Sequence, residues 1–168
     1  MTISFIYFSI ISAMYNHAPK DYICPICITV KGEENKHTIT RQTDVFYQDK
    51  FITVFIGARS WPNNKGGIII VPNNHFENIY DIPEKELSHI YIFAKKVAFA
   101  LKEIYHCDGT SMRQHNEPAG NQDAWHFHVH VMPRYKNDQL YQLNDQKYWS
   151  TNEERKPYAD KLRTYFSL

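Results

Sequence analysis

The stretch Trp125-His126-Phe127-His128-Val129-His130-Val131-Met132 alternates imidazole with apolar side chains. Successive side chains along a β-strand point to opposite faces. The alternation therefore predicts a strand over Trp125–Pro133 with His126, His128 and His130 on one face and Phe127, Val129 and Val131 on the other. A buried core strand has no need of three aligned imidazoles. Nor can the three easily converge on one metal ion. At about 3.3 Å per residue, the α-carbons of His126 and His130 lie roughly 13 Å apart, whereas zinc holds nitrogen ligands at about 2.1 Å. The histidines therefore divide the work. Neutral imidazole is a nucleophile, and an ordinary pKa of about 6.5 leaves it mostly neutral at neutral pH. The preceding loop, Gln114-His115-Asn116-Glu117-Pro118-Ala119-Gly120-Asn121-Gln122, is rich in amide donors. An imidazole beside such donors suits attack on an anionic, transferring phosphoryl centre.

Outward from this segment, the residue pattern predicts further strands at Thr38–Tyr47, Phe51–Ile56, Gly67–Val71 and Gly109–Arg113, with Asp49-Lys50 as a hairpin turn. Pro62 to Gly67 reads as a loop. Asp81 and Pro83 open the best helix, in which Ile90, Ile92, Phe93, Val97, Ala100, Leu101 and Ile104 recur at helical spacing. A second helix is predicted over Pro157–Phe166, where Tyr158, Leu162 and Phe166 recur every four residues. Five strands and two helices without a βαβ rhythm imply an α+β fold, an antiparallel sheet flanked by helices.

At 168 residues the chain suits one principal domain. A net charge of +1 argues against a surface for nucleic-acid backbone, yet leaves room for a small phosphorylated ligand that needs only a local patch. Three cysteines, Cys24, Cys27 and Cys107, make a poor disulfide framework, and a Cys-x-x-Cys pair in a reducing compartment points to metal or redox chemistry. Residues 1–14 are apolar but lack a charged start and are too short to span a bilayer, so neither signal peptide nor membrane anchor is expected. Met14 is read as the functional start, and the cytoplasm as the compartment. Beyond Arg134, Lys136, Tyr141, Lys147, Tyr148, Trp149 and Arg155 could close over a ligand, but residues 136–168 are read in preference as a solvated, amphipathic C-terminal extension with a helix.

The loop and triad resemble the histidine-triad (HIT) family, whose pattern runs Asn-x-Gly-x-x-x-Gly-Gln-x-x-x-His-x-His-x-His and often closes with Pro-Arg. Gln122, His126, His128, His130, Pro133 and Arg134 match it, and Val71, Pro72 and His75 match an upstream Val-Pro-x-x-His. The resemblance covers about residues 22 to 135, within a domain taken as 15–135. It implies a dimeric, antiparallel-sheet nucleotide hydrolase or transferase. By this resemblance His128 attacks the α-phosphorus of a phosphoanhydride or phosphoramidate, such as a dinucleoside polyphosphate, and forms a nucleotidyl-histidine. His130 and Gln122 would support catalysis, and Asn116, Gln122 and His130 would hold the substrate. The pattern has glycine where this chain has Glu117 and Asn121, and its opening Asn falls on His115. Arg59 stands where relatives place an acceptor for the ribose hydroxyls, and an arginine cannot accept.

Cys24-x-x-Cys27 has zinc-knuckle spacing and needs two more ligands. The resemblance supplies them as His75 and His126, giving a structural zinc site. A redox dithiol is the weaker alternative because no thioredoxin-like pattern surrounds it. Two other classes stay open at this point. One is a catalytically weak nucleotide-binding or adaptor module of the same fold. The other is a hydrolase that uses the histidines as catalytic metal ligands.

Overall fold

The computed structural model describes residues 15–167; the apolar start and Met14 lie outside them. Asp49 closes the first hairpin. Its carboxylate accepts from the backbone N–H groups of Phe51 (2.7 Å) and Ile52 (2.9 Å), the side-chain turn that aspartate forms readily. The turn joins β1 (Val45–Gln48) to β2 (Ile52–Ile56). With β4 (Ile68–Pro72), β5 (Gly109–Gln114) and β6 (Val129–Arg134) they form an antiparallel sheet of order β1-β2-β4-β6-β5. A second, two-stranded sheet pairs β3 (Arg59–Ser60) with β7 (Tyr148–Trp149). The helices are a short α1 (Pro25–Val30), α2 (Glu84–Ile104) and α3 (Asn152–Phe166). The architecture is the expected α+β arrangement of five antiparallel strands with helices. Among the described residues no helix is long and apolar enough to cross a membrane.

Strand periodicity divides the sheet into two functional faces. Val54 and Ile56 of β2, Ile68 and Ile70 of β4, and Val129 and Val131 of β6 point into the core. They meet Ile90, Phe93, Ala94, Val97, Ala100 and Leu101 of α2. Ile92, counted from the sequence among the helical apolar set, is instead 60% exposed. Residues between the core positions, such as Phe55, Ile69 and His130, turn to the opposite face and line a cavity.

Three sequence expectations differ from the structure. The first strand begins at Val45 rather than Thr38, because Gln42–Asp44 forms a 3₁₀ turn in which the Asp44 carboxylate accepts from Arg41 N–H at 2.8 Å. The last strand begins at Val129 rather than Trp125. Before it, Phe127 N–H donates to Phe76 carbonyl instead of to a strand neighbour. The C-terminal helix starts at Asn152 rather than Pro157. Thr151 and Glu154 form a reciprocal capping box, and Pro157 lies inside the helix.

The C-terminal segment is built into the domain. Ala159 and Leu162 join the core, and Tyr158 sits so close to Gly66 that a Cβ there would meet its ring at 2.5 Å. Gly66 also has φ +72, so only glycine fits without strain. The buried Arg155 guanidinium pairs with the fully buried Asp44 carboxylate at 2.9 Å and donates to Ile39 and Ser150 carbonyls. Asp138 is a second bolt. It accepts from Arg134, from Asn64 at 2.7 Å and from the Tyr135 and Leu140 backbone.

Arg155→Met leaves Asp44 buried and unpaired, and is expected to cost about 3–5 kcal/mol in denaturant unfolding. Asp138 gives a pH-dependent counterpart. Its hydrogen bonds to Arg134, opposed by burial, hold its carboxyl well below the usual range. The folded pKa lies below the unfolded value of about 3.9, so the stabilisation is complete above pH ~4 and is lost as pH falls below it. Asp138→Asn is expected to lose about 1–3 kcal/mol at neutral pH and to show a flatter acid limb in thermal melts.

Candidate functional site

The register of the sheet sets out the site as a row. Phe55 pairs with Ile69, Ile69 with His130, and His130 with Arg113, across β2, β4, β6 and β5. Strand neighbours are about 4.8 Å apart, so the row passes from apolar through imidazole to guanidinium over roughly 14 Å. All four residues line one cavity of about 470 Å³. His115 and His128 also line it, as do Tyr141, Lys147 and Trp149 from the C-terminal segment.

His128 is buried, and its Nδ1 lies 2.7 Å from the carbonyl of His126. A carbonyl can only accept, so Nδ1 carries the proton and the lone pair of the neutral ring is on Nε2. Burial pushes the imidazole below its ordinary pKa, partly offset by that hydrogen bond, and so favours the neutral, nucleophilic form. His130 lies beside it with ring centroids 4.9 Å apart. Burial, with the Arg113 guanidinium nearby adding to it, holds His130 well below the ordinary value. His115 donates Nδ1–H to the Gly120 carbonyl at 2.7 Å, and its ring centroid is 6.1 Å from that of His130.

His126 parts from the other two. Its side chain is fully buried and points to the Cys-x-x-Cys turn at the start of α1. Nε2 lies 3.0 Å from the Pro72 carbonyl and must donate to it, which leaves the Nδ1 lone pair facing Cys24 Sγ (3.4 Å) and Cys27 Sγ (3.5 Å). His75 Nδ1 is 3.2 Å from Cys27 Sγ. The four donor atoms lie within 4.8 Å of one another. A tetrahedral ion with metal–sulfur bonds of about 2.3 Å and metal–nitrogen bonds of about 2.0–2.1 Å sets its S and N ligands about 3.5 Å apart, so these residues can hold a metal. A backbone acceptor that fixes the tautomer of a ligating histidine is the usual second layer of such a site.

The loop before the triad explains where Gln122 and Asn116 go. Glu117 has φ +62 and ψ 162, and Asn121 has φ +67. These are the two positions where the family pattern has glycine, and both adopt backbone that favours it. Gln122 clamps the strained turn. Its Oε1 accepts from Glu117 N–H at 2.7 Å, and its Nε2 donates to the carbonyls of Glu77 (2.6 Å) and Ala124 (3.1 Å). The Glu117 carboxylate turns outward to His17 Nε2 and Tyr80 hydroxyl, each at 3.1 Å. Asn116 accepts from Ile79 N–H and exchanges hydrogen bonds with Gln114. Neither Gln122 nor Asn116 lines the cavity.

Of the residues singled out from sequence, the structure brings His128 and His130 to the cavity and Cys24, Cys27, His75 and His126 to one cluster. Residues that the sequence alone does not place at the site are Arg113, His115 and the Tyr141–Trp149 wall. His115 had a signal, since it occupies the pattern's opening Asn position. Arg59 lines the cavity, stacks on Trp149 with its guanidinium carbon 4.6 Å from the ring centroid, and pairs with Asp123 at 3.2 Å.

Comparison with known proteins is consistent across sequence and fold. Residues 39–137 match the model of the HIT domain. The chain is 29% identical over 116 residues, 69% of its length, to an uncharacterized HIT-like protein of Methanocaldococcus jannaschii, of which the match covers 82%. It is 23% identical over 119 residues to a bis(5'-adenosyl)-triphosphatase of Dictyostelium discoideum, covering 71% of this chain and 77% of that protein. A zinc-bound histidine-triad family protein from Mycobacterium smegmatis shares its fold, with TM-score 0.68 and 21% identity over 86% of this chain and 93% of that one. So does a diadenosine triphosphate hydrolase from Plasmodium falciparum, with TM-score 0.65 and 18% identity over 96% of each chain.

The Cys24–Cys27–His75–His126 cluster predicts one tetrahedral metal ion per chain, measurable by elemental analysis of the purified protein. Cys24→Ser is expected to lose the ion and to lower the melting temperature by several degrees, because metal affinity here is folding free energy.

Proposed function

The chain belongs to the HIT-domain family, and we propose that it is a nucleotide hydrolase or nucleotidyltransferase working through a covalent nucleotidyl-His128. The observation that carries this reading is the hydrogen bond from His128 Nδ1 to the His126 carbonyl, which leaves the Nε2 lone pair for the substrate in a cavity that keeps the ring neutral. The lone pair of Nε2 attacks the α-phosphorus, a P–N bond forms, and the bond to the leaving group breaks with its electron pair. A phosphate leaves as an anion and needs no proton, whereas an amine takes up one proton from solvent as the bond from phosphorus to it breaks. Water then attacks the same phosphorus, the P–N pair returns to Nε2, and the water's proton passes to solvent. With another acceptor in place of water the same adduct gives a transferase.

His130 adds a hydrogen-bond donor beside the phosphorus, and Phe55 and Ile69 offer the apolar wall on which a nucleoside can rest. Gln122 and Asn116 act on the loop geometry rather than on the substrate, in keeping with their saturated hydrogen bonds. Zinc is the ion we assign to the Cys₂His₂ cluster. It supplies a structural cross-link that anchors His126 and hence the carbonyl that orients His128. The substrate class follows relatives named as bis(5'-adenosyl)-triphosphatase and bis(5'-nucleosyl)-tetraphosphatase.

We further propose a homodimer through β5 and α2. β5 is an edge strand of the sheet, and Met112 on it is exposed together with Tyr91, Ile92 and Phe99 of α2, a patch suited to a second copy. Light scattering is expected to give twice the chain mass for wild type and a shift to monomer for Phe99→Glu.

Turnover of dinucleoside polyphosphates and nucleoside phosphoramidates tests the chemistry. His128→Ala is expected to lower kcat about a thousandfold or more, and quenching into base during turnover should trap a nucleotidyl adduct on wild type alone. Nucleotide binding without turnover or adduct in either protein would replace this reading with that of a binding module.

A further inference from the structure

Arg113 is the one member of the cross-sheet row whose chemistry the attack on phosphorus does not use. It sits on β5 directly across from His130, on the cavity face. Among the described residues its guanidinium makes no hydrogen bond and no ion pair, and its Nε is buried without a partner. The other arginine of this corner, Arg134, differs in this respect: it is doubly hydrogen-bonded to Asp138. Arg113 is held by packing instead. Its guanidinium carbon lies 5.1 Å from the centroid of Trp61 and 5.8 Å from that of Tyr141. Two rings thus fix the group while leaving its donors unused. The Trp61 indole N–H is also buried without a partner.

A half-buried cation without a counter-ion is costly, and burial pushes the Arg113 pKa down from its ordinary value. Such a group is explained by an anion that arrives with the ligand. The row states where that anion would be. If phosphorus lies at His128 and His130 and the nucleoside over Ile69 and Phe55, then Arg113 is on the far side of the phosphorus, where the leaving group departs. Cross-strand α-carbons are about 4.5–5.5 Å apart, and the next phosphorus of a polyphosphate chain is only one bridging oxygen away from the first.

We propose that Arg113 forms, beside His130, a subsite for a phosphate carried by the leaving group, and so selects substrates whose leaving group is itself phosphorylated. The proposal rests on the reading of His128 as the nucleophile. Guanidinium presents a planar fork of N–H donors that matches two phosphate oxygens, and it stabilises the charge that builds on the bridging oxygen as the P–O bond breaks. Arg113 is therefore a specificity-determining residue for the phosphoanhydride branch of the reaction. A phosphoramidate, which releases an amine, gains nothing from it. Tyr141 comes from the C-terminal segment, so that segment helps to shape the subsite.

The test compares wild type, Arg113→Met and Arg113→Lys on bis(5'-adenosyl) triphosphate and on adenosine 5'-phosphoramidate. Arg113→Met is expected to reduce kcat/KM for the triphosphate at least about tenfold more than for the phosphoramidate, and Arg113→Lys to recover part of that difference by restoring charge without the fork. Equal losses on both substrates would overturn the proposal. Calorimetric binding of inorganic tripolyphosphate separates it from the reading on which it rests. Wild type is expected to bind at least about tenfold more tightly than Arg113→Met, with the advantage shrinking as salt rises. If nothing is turned over but this difference is found, the subsite stands and the nucleophile assignment falls. Equal binding by the two proteins overturns the subsite whatever the kinetics.

Discussion

His126 holds two parts of the molecule in register at once. Its ring ties the segment leading into β6 to the Cys24–Cys27 turn and to the Pro72 carbonyl, while its own carbonyl accepts the Nδ1 proton of His128. The second contact sets which nitrogen of His128 carries a lone pair, and the first sets where that carbonyl points. A ring only two residues away from His128 is thereby turned from the cavity and used as a fixed post. Preorganisation of this sort costs nothing at the moment of reaction, because folding has already oriented the dipole.

The electrostatics of the cavity follow from the same arrangement. His128 and His130 lie close together in the cavity, and burial holds both imidazoles below their ordinary pKa, which favours the neutral rings. The fixed positive charge is placed beside them, at Arg113, rather than on them. A neutral imidazole at His130 and a permanent cation at Arg113 thus occupy neighbouring positions of one row, with the apolar Ile69 and Phe55 on the other side. One strand spacing separates each role from the next.

Around this row the chain spends stability to hold shape. Glu117 and Asn121 occupy left-handed backbone without being glycine, and Gln122, His17 and Tyr80 hold the turn from both sides. Such strain persists only where the surroundings over-determine it. On the opposite wall, Trp149 stacks on Arg59 and Tyr141 on both Arg113 and Arg134. Arg155, paired with the buried Asp44, also donates to the carbonyl of Ser150 next to Trp149, so a remote ion pair adjoins that wall.

By itself the sequence determined the α+β class, the long helix and the hairpin at Asp49, because these depend on periodicity and turn chemistry, which are local. It also indicated Cys24, Cys27, His75 and His126 as one ligand set, through spacing and family resemblance. Tertiary structure decided the rest. The triad reads as one straight strand, yet His126 leaves that line because the Cys-x-x-Cys turn, about a hundred residues earlier, draws its ring away. Arg113 looks like an ordinary strand-end arginine until pairing sets it opposite His130 with no ion-pair partner among the described residues. Residues 136–168 look solvated because their charges are locally unpaired, and only the fold brings Arg155 to Asp44 and Tyr141 to the cavity. Contacts between distant segments carry no local periodic signal, and so they could be read only from the folded chain.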